Sequence, residues 1–269
     1  MTTQIVAIQR GLGPEGRVAI VRFDRGDRIN ALSPAAMREL TAAARSFEDD
    51  IATSVVVLTG NATCFSAGFD LADAEGRTRG TMDLGARRQA LKIGPRLCRA
   101  WHELEQVTIA AIEGHCIGGG VALAASLDFR VCAETAHFRI PEVALGMNMS
   151  WGSLPRLVQL MGPARAKLAV ILAEDRIAAA EARDWGLVEQ VSPPGGALAT
   201  ALVLADKIAA LPPIPVGMVK TSINRLAGAH DDLAAHMDGD QFALAALSED
   251  HQEGVTAFRQ RRKPHFRGR

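Results

Sequence analysis

The sequence predicts an α/β protein, a core of strand–strand–helix units followed by a helical last third. Three observations carry this. Two short apolar runs, Val55-Val56-Val57-Leu58 and Ile109-Ala110-Ala111-Ile112, read as buried strands. Each is followed within a few residues by a glycine-centred turn, Cys64-Phe65-Ser66-Ala67-Gly68-Phe69-Asp70-Leu71 and Gly114-His115-Cys116-Ile117-Gly118-Gly119-Gly120, roughly fifty residues apart. Beyond about residue 153 the period becomes that of amphipathic helices, broken at Gly162-Pro163, Trp185-Gly186 and Leu211-Pro212-Pro213.

The elements follow in order. The N-terminus leads through Ile5-Val6-Ala7-Ile8 into a strand-like run. Gly11-Leu12-Gly13-Pro14-Glu15-Gly16 matches the dinucleotide motif G-x-G-x-x-G, but that motif opens a helix. Here it runs straight into the strand Val18–Phe23, so it reads as a hairpin turn. Asp24-Arg25-Gly26-Asp27 turns the chain, and Ser33-Pro34 supplies an N-cap with proline at the first helical position. Met37, Leu40, Ala44 and Phe47 recur at helical spacing, predicting a helix over 34–49. Val55–Thr59 is the next strand. A polar loop over 73–81, with Gly76 and Gly80, leads to a helix over 83–105. A strand over 108–113, a small-residue helix over 121–126 and two short strands, Phe129–Cys132 and His137–Arg139, complete the pattern.

Bulk properties narrow the function. At 269 residues and 48% hydrophobic, the chain can bury a sizeable core. Thirty basic residues balance thirty acidic ones, so composition argues for neither nucleic acid nor an anionic membrane. No apolar stretch reaches the ~20 residues that span a bilayer, and the N-terminus lacks the pattern of a signal peptide. The four cysteines form no CxxC pair and lack zinc-ligand spacing, so reduced thiols in a cytoplasmic protein with no metal are expected. Asn61-Ala62-Thr63 is a glycosylation sequon that matters only in a secreted chain. Six basic residues between Arg259 and Arg269 read as a solvated helix end or a phosphate contact.

Glycine allows positive φ and close main-chain approach. Two glycine turns at strand ends can therefore aim two backbone N–H groups at one carbonyl oxygen. Such a pair makes an oxyanion hole, in which losing one donor costs roughly 2.7–4 kcal/mol of transition-state stabilisation. Glu142 stands among Ile140, Pro141, Val143, Ala144 and Leu145. A carboxylate in apolar surroundings is a stronger base, because burial disfavours its charged form. The competing reading is a salt-bridged glutamate at a strand end.

Phe65-Ser66-Ala67-Gly68-Phe69-Asp70-Leu71, Ile112-Glu113-Gly114-His115-Cys116-Ile117-Gly118-Gly119-Gly120 and Phe138-Arg139-Ile140-Pro141-Glu142-Val143-Ala144-Leu145-Gly146 together resemble the crotonase (enoyl-CoA hydratase/isomerase) superfamily. Asn30-Ala31-Leu32, Ala182-Arg183-Asp184-Trp185-Gly186-Leu187-Val188 and Glu253-Gly254-Val255-Thr256-Ala257-Phe258 extend the match over nearly the whole chain. The resemblance implies a spiral of ββα units over residues 1–195 holding an acyl-CoA site. It implies a helical region over 196–269 that builds a homotrimer or a dimer of trimers. The substrate it implies is an acyl-CoA thioester, with no other cofactor, no metal and no nucleic-acid or membrane partner. By position it makes the backbone N–H groups of Phe69 and Gly119 the oxyanion donors and Glu142 the acid/base. Ala67, Gly68, Asp70, Leu71, Gly118, Ala122, Ser150 and Trp151 fall at substrate-binding positions, with Asn148 beside them. Phe242, Phe258 and Arg261 fall near the pantetheine and phosphates.

One departure bears on the chemistry. Hydratases of the family carry a second glutamate where this chain has Ala122, which holds neither water nor proton. Ser150 stands where some relatives place another acid, and a serine is too weakly acidic to replace it. The expectation is therefore a double-bond isomerase using one glutamate. The alternatives are a hydratase working with Glu142 alone, a thioester hydrolase or C–C-cleaving relative if His115 faces the acyl pocket, or a non-catalytic acyl-CoA-binding protein. Asp70 is expected to cap the next segment rather than to transfer protons.

Overall fold

The computed structural model describes residues 4–74, 78, 82–174 and 176–269. Strands β1 (Val6–Leu12) and β2 (Val18–Phe23) pair antiparallel as a hairpin closed by a 3-10 turn over Pro14–Gly16. The G-x-G-x-x-G stretch is that turn, as its direct entry into a strand predicts. Helix α1 (Pro34–Arg45) starts at Ser33, whose Oγ accepts the Ala36 N–H at 3.2 Å. It ends four residues before the expected 49, in turns that keep Phe47 buried.

Strands β3 (Val55–Thr59) and β4 (Cys64–Ser66) lead to the first glycine turn. Most of the polar loop expected over 73–81, including Gly76 and Gly80, lies outside the described residues. The helix expected over 83–105 is two helices, α2 (Leu84–Leu91) and α3 (Ile93–His102), meeting at Lys92. Then come β5 (Val107–Ile112), β6 (His115–Ile117), α4 (Gly119–Ala124), β7 (Phe129–Ala133) and β8 (His137–Arg139). Helix α5 (Ser153–Ile171) is kinked where Gly162 takes φ +75° ahead of Pro163. Strand β9 (Ile177–Ala178), helix α6 (Ala179–Asp184) and strand β10 (Gln190–Ser192) follow. The C-terminal helices are α7 (Ala197–Ala209), α8 (Pro213–Ala227), α9 (Asp231–Ala235), α10 (Asp238–Ala245) and α11 (Glu249–Gln260).

Two sheets organise these elements. One has the order β1-β2-β3-β5-β7-β10 and is parallel beyond its opening hairpin. The other has the order β4-β6-β8-β9. A parallel sheet needs cover on both faces, and β3 is buried at every residue. On one face Val55, Val57, Ile109 and Val131 meet Ala197, Ala201, Ala205 and Ala209, the four-residue alanine stripe of α7. On the other, Val56, Leu58, Ala110 and Ile112 join the main core with Met37, Leu40, Leu97 and Trp101. The ends of β4 and β6 thereby bring both glycine turns to the same place, since these strands are parallel neighbours.

Candidate active site

The first turn hangs from residues far away in sequence. Ser66 Oγ donates to the Asn30 carbonyl at 3.0 Å and accepts the Gly68 N–H at 3.1 Å. Asn30 holds φ +44°, its Nδ2 donating to the Phe23 and Phe65 carbonyls at 3.0 and 2.9 Å. Leu32 N–H donates to the Gly68 carbonyl at 2.7 Å, and the Asp70 N–H donates to the Leu32 carbonyl at 3.2 Å. Because amides alternate sides along an extended chain, the Phe69 N–H is turned away from Leu32, toward the second turn.

The two turns touch. A Cβ at Gly68, whose φ is +84°, would lie 2.6 Å from the Ile117 carbonyl oxygen and 3.3 Å from the Gly119 nitrogen. A Cβ at Gly119 would lie 3.5 Å from the Phe69 nitrogen. The Gly118 N–H is taken by the Arg139 carbonyl at 2.8 Å. Gly119 opens α4, and the first amides of a helix have no acceptor within it. The Phe69 and Gly119 amides are thus neighbours, as the paired turns suggest.

Glu142 enters from β8 through Pro141. A Cβ on Gly118 would stand 2.6 Å from Glu142 Oε1, so glycine there makes room for the carboxylate. Glu142 Oε2 is buried with no hydrogen-bond partner. Burial in this apolar wall pushes the Glu142 carboxyl up to about 7, opposed by its own backbone amide and by the Arg139 charge. The salt-bridged reading of Glu142 does not hold.

The turns and Glu142 line a cavity of about 590 Å³. Ala67, Gly68, Phe69, Leu71, Gly118, Gly119, Ala122, Ser150, Trp151, Phe242 and Phe258 all line it, where the sequence puts them. Three expected residues stand elsewhere. Asp70 bonds Arg25 at 2.6 Å and accepts the Ala72 N–H at 2.9 Å. Burial raises its carboxyl, but Arg25 and the Ala72 amide outweigh this and hold it below the ordinary value. It is a cap and anchor of the turn rather than part of the cavity wall. Arg261 sits at the C-terminus of α11 with φ +54°, outside the cavity, because residues 251, 255, 258 and 259 form the inward face of that helix. Arg259 takes the place expected for Arg261, its Nη2 reaching the Leu71 carbonyl at 3.2 Å. Asn148 turns to the Asp238 carbonyl at 3.4 Å. His115 is exposed and packs edge-on against His137, with ring centroids 4.3 Å apart, so it does not face the cavity.

Sequence reading missed Arg87, Arg139, Met147, Met149 and His251, which also line the cavity, and placed Arg259 only within the basic tail. The two methionines carried a signal in their alternate spacing. His251 carried none, since its Nδ1 meets the Leu145 carbonyl at 2.9 Å across 106 residues of chain.

A spiral α/β core with two apposed glycine turns and an inward-facing glutamate defines a crotonase-type enzyme fold. The sequence profile of the enoyl-CoA hydratase/isomerase family matches residues 13–269, and the chain belongs to that family. It is 33% identical over 253 residues to the short-chain-enoyl-CoA hydratase of Clostridium acetobutylicum, covering 94% of this chain and 95% of the relative. It is 32% identical over 253 residues to the 2,3-dehydroadipyl-CoA hydratase of Escherichia coli, covering 94% of this chain and 96% of the relative. Among solved structures, an enoyl-CoA hydratase from Mycobacterium avium subsp. paratuberculosis superposes with a TM-score of 0.84 at 26% identity, covering 97% of both chains.

Proposed function

We propose that this enoyl-CoA hydratase/isomerase-type enzyme is a double-bond isomerase that converts a 3-enoyl-CoA into the conjugated 2-enoyl-CoA. The observation that carries this reading is that Glu142 is the sole carboxylic acid among the described residues lining the cavity, while Ala122 is 1% exposed. The Phe69 and Gly119 amides receive the thioester oxygen, which takes up charge as Glu142 removes a C2 proton. The C2–H electron pair becomes the enolate double bond to C1. As the enolate collapses, C2=C3 forms, and the former C3=C4 pair takes the proton from Glu142 at C4. One group that first accepts and then donates suffices, and a carboxyl near 7 does both at neutral pH. Arg87 and Arg259 at the cavity rim serve the CoA phosphates.

The hydratase names of the relatives favour a second reading, hydration supported by Glu142 alone. The purified protein is incubated in D₂O with a 3-enoyl-CoA and, separately, with a 2-enoyl-CoA. Conjugated-thioester absorbance and product mass are followed. Isomerisation without gain of water supports the first reading; water added to the 2-enoyl ester with no isomerisation replaces it by the second. Because Glu142 works as its carboxylate, kcat/KM should rise with pH and level off above about 7. A flat profile from pH 5 to 9 would remove Glu142 as the base.

The last helices are inferred to carry an oligomer interface, since α8 leaves Ile214, Met218, Ile223 and Leu226 exposed. Sedimentation velocity should give a trimer or a dimer of trimers, and Met218→Asp should shift it toward monomer. A monomeric wild-type protein would end this reading.

A further inference from the structure

The Trp151 indole is wedged between two glycines from different helices. A Cβ on Gly94 of α3 would stand 2.1 Å from its Cε2 and 2.3 Å from its Nε1, and one on Gly119 of α4 would stand 2.6 Å from its Cη2. Neither residue tolerates a side chain while the ring is there. Trp151 itself has φ +65°, in the left-handed region that costs a non-glycine residue roughly 1–2 kcal/mol. Such strain persists only where the surroundings over-determine it, and it clusters at functional sites.

The clamp on this turn is visible. The Gly152 N–H donates to Asp238 Oδ2 at 2.8 Å, and the Asp238 side chain is buried. Ser153 Oγ donates to the Ser150 carbonyl at 2.5 Å. The indole is therefore fixed by a turn tied at both ends rather than by simple burial.

What it separates gives the ring a role. A second cavity of about 980 Å³ adjoins the first and shares with it Leu91, Pro95, Trp151 and Gly239. Its character is different, with Arg156, Lys220 and Asp238 on its wall. Arg156 bonds Ser126 Oγ at 3.0 Å and leaves its Nε buried without a partner. On the other side the indole lies against Gly119, one helical turn before Ala122 on the same face of α4.

We propose that Trp151 is a specificity-determining wall, which holds the acyl chain in the smaller cavity and closes off the larger one. This rests on the reading of the cavity as an acyl-CoA site. A chain leaving the Phe69/Gly119 turns is directed by the ring toward Leu145, Met147 and Met149, and long unbranched chains are rejected for lack of room. The same ring stands over the face from which a carboxylate at position 122 would have to project.

Saturated thioesters test the wall without invoking either reaction, since they can be neither isomerised nor hydrated. Dissociation constants of butanoyl-CoA and decanoyl-CoA are measured by calorimetry for wild type, Trp151→Phe and Trp151→Gly, with thermal melts to establish folding. The glycine variant should improve decanoyl-CoA binding relative to butanoyl-CoA by tenfold or more, with Trp151→Phe staying within about threefold of the wild-type ratio. The space the indole leaves is bounded by Gly94, Gly119, Leu91 and Pro95, and each methylene it admits is worth roughly fourfold, so a few suffice. An unchanged ratio in a folded Trp151→Gly protein overturns the proposal. Should that variant not fold, Trp151→Leu carries the same comparison. If neither thioester binds the wild type, the acyl-CoA reading falls and the wall with it.

Discussion

Replacing Glu142 by glutamine is expected to lower kcat/KM by at least 10²–10⁴-fold, the range a positioned acid/base contributes. The same variant is expected to be more stable than wild type at alkaline pH. Burial of the Glu142 carboxyl raises its folded pKa to about 7 from an ordinary 4.5. Below about 4.5 the group is protonated in folded and unfolded chains alike and costs nothing. As pH rises to 7 the unfolded chain ionises first, so stability is lost across that window, by up to roughly 3 kcal/mol. Glutamine carries no charge and escapes the loss. Thermal melts of both proteins at pH 4.5 and pH 8 should therefore coincide at the lower pH and separate at the higher, with the variant melting later. Full activity in Glu142→Gln, or identical melts at both pH values, would remove Glu142 from the chemistry or from its apolar setting. An enzyme that loses activity while gaining stability at one position shows that the residue is kept for its reaction.

Gly68→Ala is the second change with a large expected effect. Its Cβ would meet the Ile117 carbonyl oxygen at 2.6 Å, a backbone atom with no rotamer to give way, at a φ of +84°. The left-handed penalty is about 1–2 kcal/mol, and relieving the clash must move the two turns apart. That displaces the Phe69 amide from the Gly119 amide, so on the proposed reading one donor to the thioester oxygen is lost. We expect kcat/KM to fall by about 10²–10³-fold, as for loss of an oxyanion donor, with a destabilisation of about 2–3 kcal/mol. Steady-state kinetics together with urea unfolding check both. A kinetically unchanged Gly68→Ala enzyme would mean that the apposition of the turns has no part in the reaction.

The glycine turns, the strands before them and Glu142 were all readable in the chain, because each depends on a short local pattern. Buried β-strands need runs such as Val55–Leu58, positive φ needs glycine at 68 and 118, and apolar neighbours around Glu142 announce a carboxylate out of water. Ala122 was equally plain, since a missing carboxylate is a matter of identity rather than of position. Strands β9 and β10 escaped notice because two or three residues make no periodic signal, and their partners β8 and β7 lie 40 to 60 residues upstream. The break between α2 and α3 at Lys92 lies just before Gly94-Pro95, whose proline has no N–H to carry the first helix on; one helix over 83–105 passed over that local signal.

The partners of the site residues had to come from packing. Asp70 caps the turn against Arg25, 45 residues earlier, and so leaves the cavity it was expected to line. Arg259 rather than Arg261 faces inward, because the face α11 presents depends on how the helix docks and not on its charge count. Trp151, between Gly94 and Gly119, combines three segments that no local window contains. The types of group available to the chemistry are properties of single residues and survive in the linear chain. Which of them meet, and which are shut out, is decided by the docking of segments far apart along it, where close-packed contacts outweigh any local preference.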